Sequence, residues 1–214
     1  MQITLLCTSE RHPVNPWLQA WSSKNSEEYD IRICRDRSEL SGGDVLFLIS
    51  CSQIIDAEAR SKYRHTLVLH ASDLPEGRGW SPHVWALLGG AREITVTLLD
   101  ADDGVDTGAV WVKKSFPVAA DALHDEVDRL LFDVELNLMD TALRLISTGA
   151  LPSPQASGLT PVYYRKRSPA DSEIDPSKPL SELFNKIRLM DPDRYPAFFS
   201  LHGHVYTIRL KKVR

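Results

Sequence analysis

Seven residues, Asp44 to Ser50 (DVLFLIS), are apolar except at their two ends. A strand with one face in water alternates apolar and polar side chains, whereas an unbroken apolar run is covered on both faces. The chain must therefore place at least one strand in the middle of a sheet. Neighbouring segments extend it. Gln2 to Cys7 is a second continuous apolar strand, Tyr29 to Cys34 sets Ile31 and Ile33 against arginines, and Thr66 to Leu69 returns as a strand. Between them, Asn15 begins a helix through Trp17, Leu18 and Trp21, and Ile54 to Lys62 reads as a short one. This βαβαβ order predicts an α/β fold, a doubly wound and mostly parallel sheet with helices on both faces. The segment CTSERHPVN after the first strand carries no GxGxxG, which argues against a dinucleotide cofactor.

Leu67 to Gly79 (LVLHASDLPEGRG) turns from a buried strand end into a loop within three residues. Ser81-Pro82 then opens a helix, with Ser expected to cap it and Pro suited to its first position. That helix, Pro82 to Leu88, is closed by Gly89-Gly90. His70 thus lies at the C-terminal edge of a strand, where open α/β sheets bind ligands. Ile94 to Leu99 alternates as another strand and ends in an acidic loop, DADDGVDTG, from Asp100 to Gly108. Asp106 follows His70 by 36 residues.

A strand-end histidine in HxSxLPxxxG, followed at this separation by a strand and (D/E)GxDTG, resembles the formyltetrahydrofolate-dependent formyltransferases. These include methionyl-tRNA formyltransferase, glycinamide ribonucleotide transformylase and the sugar N-formyltransferases. The resemblance implies a Rossmann-like formyltransferase fold and 10-formyltetrahydrofolate as cosubstrate, with no metal. It makes His70 and Asp106 the catalytic pair, His70 as general base or oxyanion partner and Asp106 as its orienting carboxylate. It assigns folate contacts to Cys51, Ile54, Ile55, Asp100, Asp103, Gly104, Val105 and Gly108. Contacts to the amine-bearing substrate fall to Ser72, Asp73, Gly77, Arg78, Gly79 and Trp80. A histidine suits this chemistry because its ordinary pKa of ~6.5 lets it give or take a proton near neutrality. One position departs from the family. The Asn two residues before the histidine, whose amide helps bind the formyl oxygen, is here Val68.

After Trp111, an apolar stripe from Ala122 to Ser147 predicts a helix of about seven turns, ended by Gly149. Leu151 to Pro179 carries six prolines and reads as an extended crossing segment docked by Val162, Tyr163 and Tyr164. A helix comes after Ser177-Lys178-Pro179. The sequence then closes with a hairpin of Ala197 to Leu201 and Val205 to Leu210, turning at Gly203. This suggests a catalytic unit over 1–150 and a smaller helix-plus-hairpin unit over 151–214. The later region, ALPSPQ to GHVYTI, also resembles the stretch beyond the catalytic domain in sugar and tRNA formyltransferases.

A net charge of −4 and 43% hydrophobic residues fit a soluble globular protein. No apolar run approaches the ~20 residues of a membrane span, and MQITLLCTSERH reads as a strand, not a signal peptide. Three scattered cysteines, Cys7, Cys34 and Cys51, suit buried thiols in a reducing cytoplasm. His202 and His204 read as hairpin-turn residues rather than a metal site, and Trp85 as core. Asp73 and Glu76 could bind an ammonium or face water. The basic clusters, Tyr164-Arg165-Lys166-Arg167 and Lys211-Lys212, are too small for a tRNA but could meet a nucleotide diphosphate. No nucleic acid partner is expected, and a homodimer through the hairpin stays open.

The resemblance therefore favours an N-formyltransferase acting on a nucleotide-linked amino sugar in cell-surface glycan pathways. Two alternatives remain open. One is a hydrolase of the same folate, which shares the motifs. The other is a degenerate folate or nucleotide binder, which Val68 keeps open.

Overall fold

The computed structural model describes residues 1–156, 158 and 161–213. Strands β1 (Gln2–Leu6), β2 (Asp30–Cys34), β3 (Gly43–Leu48) and β4 (Tyr63–His70) alternate with α1 (Asn15–Asn25) and the single-turn α2 (Ala57–Arg60). A two-residue strand β5 (Arg78–Gly79), α3 (Pro82–Leu88), β6 (Glu93–Asp100), β7 (Val110–Pro117) and α4 (His124–Ser147) come next. The remaining stretch holds β8 (Tyr163–Tyr164), α5 (Leu180–Arg188) and a hairpin of β9 (Ala197–Leu201) and β10 (His204–Ile208).

The main sheet has the order β2-β1-β3-β4-β6-β7. Its first four strands are parallel, as the alternation of strand and helix requires. β6 then runs antiparallel to β4, with His70 opposite Thr97, and β7 runs antiparallel to β6. Period-two alternation marks a strand but carries no direction. The reversal brings the loop after β6 alongside β4, where the Ala101 N–H donates to Thr66 O at 2.7 Å.

The central strand is covered on both faces. Val45, Phe47 and Ile49 belong to the larger core under α1 and α4, whereas Leu46 and Leu48 join a smaller core with Leu6, Leu40, Ile55 and Tyr63. The helical layer is thick on one face only. The expected helix over Ile54 to Lys62 shrinks to α2, because residues 51–56 form an irregular turn. The Asp56 side chain caps α2 by accepting from the Ala59 N–H at 2.9 Å.

Two local expectations are corrected. Ser81 precedes α3 but makes no side-chain cap; its φ of +47° lies in the left-handed region. Gly90, at φ +94°, supplies the left-handed turn that ends α3. Trp85 is not core: it is half-buried, stacks on Tyr164 at 6.2 Å between ring centroids, and donates Nε1–H to Arg165 O.

α4 begins two residues later than the stripe suggested, at a turn where Glu126 accepts from the Leu123 N–H at 2.7 Å. Ile174, Ile187, Leu189, Met190 and Ala197 from the C-terminal stretch are buried in the larger core. His202 and His204 fall at and after the hairpin turn, and both are exposed. No helix among the described residues is long and apolar enough to cross a membrane.

Candidate active site

β4 delivers His70 to the edge of the sheet with 7% of its side chain exposed. The loop after it folds back, so His70 Nε2 lies 2.9 Å from Gly77 O. A carbonyl only accepts, so Nε2 carries a proton and donates it there. On the other side of the ring, Nδ1 is 3.5 Å from Asp106 Oδ1. A neutral ring presents a lone pair on this side, and a protonated ring presents a second N–H to the carboxylate. His70 thus lies between a backbone carbonyl on one side and a carboxylate on the other.

Asp106 reaches the histidine because its backbone turns at φ +56°, a left-handed conformation open to Asp at modest cost. Its Oδ2 accepts from the Gly79 N–H at 2.9 Å. Glycine is required on both loops. A Cβ at Gly79, where φ is +96°, would stand 2.3 Å from Tyr164 O. One at Gly108 would stand 2.0 Å from Asp100 O.

A third contributor comes from the crossing segment. Gln155 Nε2 donates to Asp106 O at 2.8 Å and to Gly108 O at 2.9 Å, while its Oε1 accepts from Arg78 Nη2 at 2.8 Å. β5 pairs with β8, with Arg78 N–H donating to Val162 O and Trp80 N–H to Tyr164 O. Gln155 escaped the sequence reading because a polar residue in a proline-rich stretch carries no local signal for a contact 49 residues away.

The other substrate candidates differ in their surroundings. Ser72 Oγ is buried with no partner, although its backbone O accepts from Thr97 Oγ1 at 2.6 Å. Asp73 is exposed and paired with Lys113 Nζ at 2.6 Å. Arg78 leaves its buried Nε without a partner. Trp80 is 39% exposed, and Lys166 Nζ sits 4.7 Å from its ring centre. Glu76 is exposed.

The folate candidates lie on the neighbouring side of β4. Cys51, Val68 and Ala101 pack half-buried against the smaller core, and Ile55 is buried within it. Cys51 Sγ donates to Gln53 O at 3.3 Å, and burial pushes its thiol pKa up. Ile54 is 76% exposed and Val105 50% exposed. Burial also pushes the Asp100 carboxyl up, opposed by the Trp111 Nε1–H that donates to it at 2.7 Å. Asp103 is exposed and ion-paired with Arg60. Gly104 is exposed, its carbonyl accepting from Thr107 Oγ1 at 3.0 Å. Half-buried apolar side chains beside the open backbone of the acidic loop suit one face of a flat heterocycle.

Known proteins are similar to this chain in sequence and in fold. A methionyl-tRNA formyltransferase of Symbiobacterium thermophilum is 36% identical over 157 residues, covering 71% of this chain and 47% of that protein. The chain thus spans about half the length of the curated relatives it matches. Among solved structures, HypX from Aquifex aeolicus in complex with tetrahydrofolic acid superposes with a TM-score of 0.80 at 23% identity, covering 96% of this chain and 36% of HypX. A sugar N-formyltransferase from a Shewanella species superposes with a TM-score of 0.72 at 16% identity, covering 100% of this chain and 99% of the other. These two likenesses show a shared fold. The formyl transferase family model matches residues 6–143, a stretch that holds His70, Asp106 and both glycine-bearing loops, and the chain belongs to that family.

Proposed function

We propose that this chain transfers the formyl group of 10-formyltetrahydrofolate to the amine of a nucleotide-linked amino sugar. The observation that carries the reading is the His70–Asp106 pair, fixed by Gly77 O on one side and Gly79 N–H on the other. Bound formyltetrahydrofolate would supply an activated formyl carbon. Cys51, Val68, Ala101 and the backbone of residues 100–105 would hold it, and the half-buried apolar ledge they form fits that job.

Acyl transfer to an amine needs a proton removed from nitrogen and a developing oxyanion met by a donor. The His70–Asp106 pair takes up the proton, with Asp106 orienting the ring and stabilising the imidazolium. Val68 offers no donor to the formyl oxygen. The buried hydroxyl of Ser72, which has no partner of its own, is free to fill that role.

The sugar assignment is supported by the Shewanella sugar N-formyltransferase, which this fold matches over nearly all of both chains. The net charge of −4 also fits a small phosphate-bearing substrate better than a tRNA. A second reading, formylation of methionyl-tRNA, is favoured by the 36% identical relative. One assay separates them: release of tetrahydrofolate with a panel of nucleotide-linked 4-amino sugars, with methionyl-tRNA, and with neither, using His70→Ala as control. Sugar-dependent release abolished in the control is the expected result. Release only with methionyl-tRNA would shift the assignment to the second reading. Release without any amine would mean a hydrolase, and folate binding without release would refute an enzyme.

A further inference from the structure

Beside the β5–β8 pair, the run Tyr164-Arg165-Lys166-Arg167 meets Trp80 and Trp85, and most of these groups are already engaged. Trp85 stacks on Tyr164, and the Arg165 guanidinium lies 5.0 Å from the Trp85 ring centre. Arg165 also donates to both carboxylate oxygens of Asp171. The Arg167 guanidinium sits 5.7 Å from the Tyr195 ring centre, with Nη2 donating to Ser172 Oγ at 3.4 Å. Trp80 and Lys166 remain. Both are exposed, and Lys166 Nζ rests 4.7 Å from the Trp80 ring centre. Among the described residues that ammonium makes no ion pair and no hydrogen bond.

Direct contacts tie this ring and this ammonium to the reacting centre. Trp80 follows Gly79, whose N–H donates to Asp106 Oδ2 at 2.9 Å, so its Cα stands about 3.8 Å from the Gly79 Cα. The Trp80 N–H donates to Tyr164 O at 3.0 Å, two residues before Lys166. Gly77, whose carbonyl holds His70 Nε2 at 2.9 Å, also lies against β8: a Cβ there would stand 3.3 Å from Tyr164 Cε2. One short strand pair thus carries both the brace of the His70–Asp106 pair and the Trp80–Lys166 contact. A substrate with its amine at His70 can extend along β5 toward them.

An ammonium on an exposed indole is weakly held, whereas a nucleobase brings a π-face of its own and stacks more strongly. A base arriving at Trp80 therefore displaces Lys166. The freed ammonium is a compact point charge that suits phosphate oxygens. We propose that Trp80 and Lys166 form a nucleoside-diphosphate subsite, with the indole stacking on the base and the ammonium meeting the diphosphate. The proposal rests on the sugar-nucleotide reading and names the groups that grip the nucleotide half of that substrate. Trp85 is excluded from the role because Tyr164 and Arg165 already occupy its ring. Stacking tolerates any base, so the subsite selects nucleoside diphosphates as a class.

Calorimetric titration of the intact chain with uridine diphosphate and with uridine monophosphate tests the two groups separately. Trp80→Ala should weaken both nucleotides about tenfold or more and leave the ratio of their affinities intact. Lys166→Ala should weaken the diphosphate about tenfold or more and narrow the gap between the two. Trp80→Phe and Lys166→Arg should restore most of the affinity, and the KM for the accepted amino-sugar nucleotide should rise in step with each loss. Tetrahydrofolate affinity and Tm should hold in all four variants, because both side chains are exposed. Uridine diphosphate should also quench the indole fluorescence of wild type, and Trp80→Phe should lose that quench. A wild type that formylates a sugar nucleotide, with Trp80→Ala and Lys166→Ala keeping its KM and its diphosphate affinity, would overturn the subsite and leave formyl transfer standing. A wild type that neither binds uridine diphosphate nor formylates any sugar nucleotide would overturn both.

Discussion

Gln155→Ala removes a side chain that touches neither proposed substrate, yet three contacts hang on it. Two of its hydrogen bonds hold the carbonyls of Asp106 and Gly108, and the third receives the Arg78 guanidinium. At ~1 kcal/mol for each neutral bond and ~1.5–3 kcal/mol for the charged one, the gross loss is about 4 kcal/mol. Water entering the vacated space recovers part of it, leaving roughly 2–3 kcal/mol. For a chain of this size each kcal/mol moves Tm by about 2–4 °C, so calorimetry should show a fall of about 5–10 °C. The activity loss should be larger in proportion. Asp106 sits at φ +56°, and without Gln155 its backbone is free to relax away from His70. Formyl transfer should drop at least tenfold in kcat with little change in folate affinity. Gln155→Glu sharpens the test: it keeps an acceptor for Arg78 but has no donor for the two carbonyls. It should regain much of the stability and little of the activity. A Gln155→Ala protein that melts within a degree of wild type and turns over normally would refute the claim that the crossing segment sets the Asp106 geometry.

Three further outcomes are expected. Gly79→Ala places a methyl 2.3 Å from Tyr164 O at a left-handed φ, so strain of roughly 1–2 kcal/mol adds to a forced separation of β5 from β8; melting and activity should both fall, and a variant matching wild type would contradict the contact. Ser72→Ala deletes a buried hydroxyl that has no partner, so Tm should hold or rise while kcat falls about 10²-fold, the usual loss for one oxyanion donor; an unchanged kcat would send the search for that donor elsewhere. Stability should also vary with pH in a defined direction. Glu135 and Asp128, raised by burial to about 8 and about 7, favour the folded state fully at low pH and lose that contribution as pH rises toward those values. His12 and His83, lowered to about 4 by burial, act in the opposite sense below their ordinary ~6.5 and oppose the acids there. The acids act alone above ~6.5, so Tm should decline between about pH 6.5 and 8, and Glu135→Gln should flatten the decline; a flat wild-type profile would contradict the burial of these acids.

The sheet was legible because its strands are apolar runs whose lengths and order admit few arrangements. The pairing of His70 with Asp106 was legible through motif and spacing, since His70 ends β4, Asp106 sits on the loop after β6, and the loops beside both are anchored by glycines with no room for a side chain. Other features were hidden for physical reasons. The reversed direction of β6 and β7 leaves no periodic trace. β5 and β8 are two residues each, too short for a pattern, and exist only because they meet. Ser81 has the composition of a cap, but the turn before Pro82 places its backbone in a conformation where its hydroxyl caps nothing. Glu135 was passed over because an acid between Val134 and Leu136 reads as the polar edge of an amphipathic helix, and only packing shows that it points inward. Tertiary context outweighs local propensity in each of these cases.

The pairing of β5 with β8 has a consequence for how the protein is made. Every main-sheet strand, together with His70 and Asp106, is translated before Gln155, Tyr163 and Tyr164. A nascent chain can therefore complete its sheet while still on the ribosome, yet hold an Asp106 loop that lacks the Gln155 brace. Function should switch on only after the crossing segment clears the exit tunnel and folds back across a finished scaffold.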